Sequence, residues 1–270
     1  MSTEMSTETQ NSTAFVVGGG TSGSASALPG RPGVPFGRTL QAEVRKMVDT
    51  RAGRWMVIVM AALTVLILAA FVLWGPAEDA TFDNLLQIAT LPLALLLPVI
   101  GIMAATAEWS QRTGLVTFTL EPHRGRVVLA KALGALALGL VVTAVAFAAA
   151  ALANLAGTGT WDLDAAAGAG LVLALLIYVL QGVAFGLLFL NTPVAIVTVL
   201  VLPTAWTIAT QVFSSLADVG RWIDLDSVTR PLFAGEMAGQ DWAQLGTGVG
   251  VWVLLPLAIG TWRVLTREVK

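Results

Sequence analysis

Six stretches of this chain are apolar for about twenty residues at a time, and that feature decides its fold class. They cover residues 55–74, about 85–107, 127–155, 165–190, 194–213 and 244–262. A helix needs about 20 such residues to cross the hydrocarbon core of a bilayer. Lipid offers the backbone no hydrogen bonds, so a crossing segment must be a helix or part of a closed barrel. A barrel would show short alternating strands, and these runs do not alternate. The first run carries Trp55 and Trp74 at its ends, where an interfacial belt places tryptophan. The third and fourth are longer than a crossing requires, so tilt or extension into water is expected. The sequence therefore predicts an all-α integral membrane protein with six transmembrane helices. The composition agrees: 12% of residues are charged and 56% hydrophobic, against about 25% charged in a typical soluble domain.

Lysine and arginine set the orientation. Arg31, Arg38, Arg45, Lys46, Arg51 and Arg54 precede the first run. Arg112, Arg124, Arg126 and Lys131 lie between the second and third, and Arg263, Arg267 and Lys270 follow the sixth. With six spans, thirteen of the fifteen basic residues fall on one side. The positive-inside rule makes that side the cytoplasm, with both termini in it. The connection between the fourth and fifth runs is only Asn191, Thr192 and Pro193, so those two helices are expected to be antiparallel neighbours.

Residues 1–36 are a different material, rich in Ser, Thr, Gly and Pro. Such a segment cannot bury enough surface to offset its ordering entropy, and it lacks the basic and apolar regions of a signal peptide. It reads as a disordered cytoplasmic tail ahead of a membrane domain at 37–270. Towards the other end, residues 214–243 mix Trp222, Ile223, Leu225, Leu232, Phe233 and Trp242 with charges. That mixture predicts short amphipathic helices at the outer membrane surface, or a loop resting on it.

Several chemistries are disfavoured. The chain has no Cys and a single His, His123, so thiol catalysis and His-rich or Cys-rich metal sites have no residues to use. No GxxxxGK[ST] loop is present for ATP, and a net charge of −2 gives no ground for nucleic-acid binding. No Asp, Glu, Lys or Arg falls well inside a run, unlike the ionisable groups that proton-coupled carriers hold at membrane depth. The polar residues inside the runs are Gln87, Thr90, Asn154, Gln181, Thr198, Thr204, Thr207 and Gln211. Hydrogen bonds between helices are their expected role; Gln181 and Gln211 are also candidates for lining a substrate path. Gly182 and Gly186 form a GxxxG pair, expected to serve close helix packing within the chain more than a dimer seam.

Two stretches carry a likeness to a known family. In "LQAEVRKMVDTRAGRW", Leu40, Val44, Met47 and Val48 fall on one face of a helix. Glu43, Arg45, Lys46 and Asp49 lie on or near the rest, the pattern of an interfacial helix. Between the second and third runs stands "EWSQRTGLVTFTLEPHRGRVVLAK", residues 108–131. It mixes charge with Leu115, Val116, Phe118 and Leu120, which suits a protein interface and also a solvated loop held inside by its charge.

Leu40-x-x-Glu43-x-x-Lys46 ahead of the first span resembles the interfacial helix of permease subunits of ABC exporters of the second type. The island is similar to that family's segment between spans two and three: Glu108 ends span two, Arg112 and Thr113 follow, Pro122 precedes Arg124, and Lys131 starts span three. The resemblance implies six spans, a coupling helix in the island, and a separate ATPase subunit that it docks into. Its coupling residues would be Glu108, Arg112, Thr113, Leu115, Phe118, Pro122, Arg124 and Lys131. Two ATPase copies would hold ATP and Mg, with no cofactor on this chain. A second permease copy or a related chain would complete the path in the cell membrane. The rival reading is a non-transporting membrane assembly or scaffold protein.

Overall fold

The computed structural model describes residues 34–111, 113, 117 and 123–266. The tail expected to be disordered lies outside them up to residue 33. Among the described residues there is no strand. Six helices are long and apolar enough to cross a membrane: α2 (Arg51–Trp74), α3 (Phe82–Ser110), α4 (Arg124–Ala156), α5 (Ala165–Phe189), α6 (Thr192–Val212) and α9 (Gln240–Thr266). Shorter helices are α1 (Phe36–Asp49), α7 (Ala217–Ile223) and α8 (Leu225–Ala234).

The helices begin where polar caps stand. Thr50 Oγ1 accepts from Gly53 N at 3.1 Å, and Asn191 Oδ1 from Val194 N at 3.2 Å. Asp164 accepts from Ala166 N at 3.2 Å. Each satisfies a backbone donor that the first helical turn leaves open. The turn between α5 and α6 is made by Leu190, whose φ of 53° is the one left-handed non-glycine conformation among the described residues.

The core is the α3–α5 pair. A β-carbon added at Gly182 would fall 1.9 Å from the Pro98 carbonyl oxygen, and one at Gly186 would fall 2.7 Å from Ala105 Cβ. The GxxxG pair therefore packs α5 onto α3 inside the chain, letting the two backbones approach as small residues do in membrane helices. Gly260 does the same for α9, meeting the backbone at Leu187 and Leu188. Leu85, Leu93, Leu97 and Ile102 of α3 and Leu175, Val179 and Val183 of α5 are all fully buried. By contrast α2 and α6 are buried along little of their length, and Val65, Leu66, Val197 and Val201 face outward.

At the end away from residues 108–131, two connections close on each other. Phe82 N donates to Thr160 O at 3.1 Å and Asp83 N to Asp162 Oδ1 at 3.0 Å. The Phe82 and Trp161 rings lie 4.9 Å apart.

The segment 214–243 is ordered into α7 and α8, and α8 does not rest at the end of the bundle. It runs beside α5. Gly170 and Ala167 meet its C-terminal part at Leu232 and Gly235, while Tyr178 OH lies 3.0 Å from Thr229 Oγ1. Tyr178 comes thirteen residues after Ala165 in a 25-residue helix, so α8 reaches about half-way along α5. Trp252 fixes α7 from the other side, its Nε1 donating to Ile223 O at 2.6 Å. Trp252 sits in a π-helical turn of α9, Gly250–Leu254. Such turns widen a helix locally and re-aim its side chains.

Candidate functional site

Four charged side chains that lie far apart in the sequence meet where α1, α3 and α4 come together. Lys131, in the second turn of α4, sits 2.8 Å from Glu43 Oε2 of α1 and 2.5 Å from Glu108 Oε2 at the end of α3. Its Nζ also donates to Ala104 O at 3.1 Å, so the ammonium's three N–H groups are fully engaged. Lys46 lies 2.6 Å from Glu43 Oε1 and 3.1 Å from Glu108 Oε1. Both glutamates and Lys131 are buried, and the Lys46 side chain is 42% exposed. Two carboxylates and two ammoniums make the cluster neutral in charge. That balance is what lets it be buried, since an unpaired ion there would cost several kcal/mol.

Burial by itself would pull the Lys46 ammonium below its usual pKa. The hydrogen bond that Lys46 donates to Glu43, with the charges of Glu108 and Glu43, outweighs it and holds Lys46 above its ordinary value.

The structure changes the expected face of α1. Glu43, assigned by pattern to the polar side, is buried together with Met47, whereas Val48 is 42% exposed. The reason is the partner across the interface. Lys131 supplies the counter-charge, and Gly134 leaves room for Val44 and Met47 to pack on α4. The helix is therefore docked on the bundle through a salt-bridged face.

Of the eight candidate coupling residues, Glu108 and Lys131 are paired inside the chain, so neither offers an open surface for a partner. Arg124 donates from Nη1 to Val264 O at 3.0 Å, tying the base of α4 to the end of α9. Arg126 Nη2 reaches Val34 O at 2.9 Å. Thr113 is exposed, its amide donating to Glu108 O at 3.0 Å. Arg112, Leu115, Phe118 and Pro122 lie outside the described residues. A cleft of about 510 Å³ opens beside the network, lined by Arg38, Thr39, Lys46, Gln111, Thr113 and Thr117 among others.

A second polar site lies at mid-bundle. Two adjoining cavities of about 270 and 440 Å³ share Leu91, Ala94, Tyr178 and Asp226. Gln181 lines the first; it is 3% exposed and its Nε2 has no hydrogen-bond partner. Gln211, at the far end of α6, is exposed and is not among the lining residues. Asp226 projects from α8, and the neighbouring Asp224 is buried, accepting from Thr207 at 3.0 Å and Ser227 at 2.8 Å. The runs themselves hold no acid here. Carboxylates nevertheless reach the middle of the bundle, because α8 carries them there. Their only sequence signal was the mixture of acids with Trp222, Ile223 and Leu225.

Most of the polar residues within the spans do not link helices. Thr198 and Thr204 donate to carbonyls four residues earlier in α6, at 2.8 and 2.9 Å, the usual way a helix satisfies such hydroxyls. Thr207 does reach another element, at Asp224.

Among the described residues no group of three or more His, Asp or Glu side chains is placed to hold a metal ion. Comparison of the chain with protein-family models and with curated proteins finds no match.

Proposed function

We propose that this chain is the membrane-spanning permease subunit of an ABC exporter, forming the translocation path and coupled to a separate ATPase. The observation that supports this most is the convergence of Glu43, Lys46, Glu108 and Lys131. These are four of the six charged positions that carry the resemblance in the two stretches, and they meet in one buried network. The network joins the interfacial helix to both helices that flank residues 112–122. A push on that segment would therefore reach α1, α3 and α4 together. In this reading Glu108 and Lys131 position the coupling segment, and the ATPase contact falls to the residues between them, Phe118 foremost.

Two ATPase copies carry ATP and Mg, and a second permease chain, identical or related, completes the path. The protein sits in the cell membrane with both termini in the cytoplasm, as the basic residues favour.

The test is to purify the tagged chain and ask whether it brings down a P-loop ATPase whose ATP turnover the chain stimulates. Phe118→Ala should leave the amount of membrane protein unchanged and weaken that association, by over tenfold if Phe118 is a buried anchor. If no ATPase associates with the parent chain, the permease reading fails and the scaffold reading takes its place.

A further inference from the structure

The groove between α3, α5, α6 and α8 combines features that plain helix packing does not require. Its rim is apolar and open, with Leu91 65% and Leu95 56% exposed. Its lining is polar on one side: buried Gln181 and Tyr178 form the floor, and the exposed Asp226 stands beside them. Asp226 is the only charged residue among those lining the two cavities. Arg230, one turn further along α8, is close enough for its charge to act on Asp226, but it does not line either cavity. The Gln181 amide nitrogen is buried without a partner, and a buried donor left unpaired carries its full desolvation cost. An ionisable group set half-way along a membrane helix bundle is expensive, and where one is found it usually serves function. A carboxylate, an unsatisfied amide and apolar walls are complementary to one kind of molecule.

We propose that this groove binds a cationic amphiphile, a molecule with a protonated amine head and an apolar tail. Asp226 is its counter-ion and Gln181 its neutral hydrogen-bonding partner. The tail lies along Leu91, Leu95 and Leu200, where the groove opens sideways. An anionic amphiphile is excluded, because its head would meet Asp226, with Asp224 close behind and no lining base to receive it. As a substrate site this rests on the exporter reading; as a binding site it does not.

The experiment uses the purified full chain in phosphatidylcholine nanodiscs and a photoreactive dodecylamine analogue, with labelled peptides mapped by mass spectrometry. Labelling should fall on α3, α6 and α8. Unlabelled dodecylamine should compete, whereas dodecanol and dodecanoate should compete at least tenfold more weakly, as expected for loss of a charge-assisted hydrogen bond. Asp226→Asn should weaken labelling to a similar degree, and Asp226→Glu should restore part of it. Glu78→Gln, an exposed carboxylate in the short 3-10 turn between α2 and α3 that lines neither cavity, should leave it unchanged. Gln181→Leu tests the floor from a second helix, and the competition series on the parent chain decides the question if Asp226→Asn does not fold. Labelling scattered over the whole lipid-facing surface would overturn the proposal. So would equal competition by dodecanoate or dodecanol, or labelling indifferent to Asp226→Asn and Gln181→Leu. No ATPase enters these measurements. The site therefore stands if amine labelling behaves as described while no ATPase ever associates, and it falls alone if labelling fails while an ATPase is stimulated.

Discussion

Lys131 and Glu43 are separated by 88 residues in sequence and by 2.8 Å in space. Both are buried, and each meets a second partner of opposite charge. Removing one member strands the others. Lys131→Met should therefore lower stability by about 3–5 kcal/mol, the usual cost of breaking a buried pair from one side. Glu43→Met combined with Lys131→Met removes one charge of each sign and should recover much of that loss. Thermal unfolding of the detergent-solubilised variants measures both. A Lys131→Met protein as stable as the parent would mean that the pair is not formed.

Lys46 adds a pH dependence at the alkaline end. Its folded-state pKa is raised above the usual lysine value of 10.5, the glutamates outweighing desolvation. A raised pKa means that folding favours the protonated form. Its contribution is complete below the unfolded value and is lost as pH climbs through the raised one. The melting temperature should decline from about pH 10.5 upward, and Lys46→Met should flatten that decline. Equal pH profiles for parent and variant would refute it.

The α3–α5 seam makes a contrast between two glycines. At Gly182 an added methyl meets the Pro98 backbone, so Gly182→Ala should destabilise by about 1–3 kcal/mol. Gly246 has nothing within 4 Å of such a methyl, and Gly246→Ala should be neutral or stabilise by up to about 1 kcal/mol. Side-by-side melting curves decide, and the reverse order would place the close contact elsewhere.

How the α7–α8 segment is held can be read from Trp252, which anchors it at the end of α7. Trp252→Phe keeps an aromatic ring, smaller than the indole, and removes the N–H that bonds Ile223 O. Amide exchange across 217–234 should then speed up while that of α3 and α5 stays as it was. Unchanged exchange in 217–234 would show that packing alone anchors the segment.

With no Cys in the chain, orientation can be tested by single replacements at exposed positions. Thr160→Cys and Glu236→Cys should react with an impermeant thiol reagent added outside cells. Ser110→Cys and Thr266→Cys should not. Outside labelling at Ser110 would overturn the orientation and the placing of the coupling segment with it.

The spans were legible because lipid leaves little choice. The run at 194–213 became Thr192–Val212, and the one at 244–262 became Gln240–Thr266. The helices outran their apolar cores where a cap such as Thr50 or Asn191 set the start. Glu43 could not be placed from its own helix, because periodicity scores a carboxylate as outward and only Lys131 makes it inward. The depth of α8 was hidden for a related reason. A short amphipathic helix has the same pattern whether its apolar face meets lipid or α5, and the Tyr178–Thr229 contact that separates the two cases joins residues 51 apart.

The buried network also imposes an order of events during synthesis. Glu43 and Lys46 leave the ribosome before the residues that will hold them, since Glu108 and Lys131 follow in the chain by 62 and 88 positions. Until the second and third spans are inserted, α1 has no dock, and its glutamate has only Lys46 for company. The helix must wait on the membrane face while the α3–α4 hairpin forms, and it clips into place afterwards. That final latch can close only when both spans have entered in the right direction, so correct insertion of the first half of the chain is checked by α1.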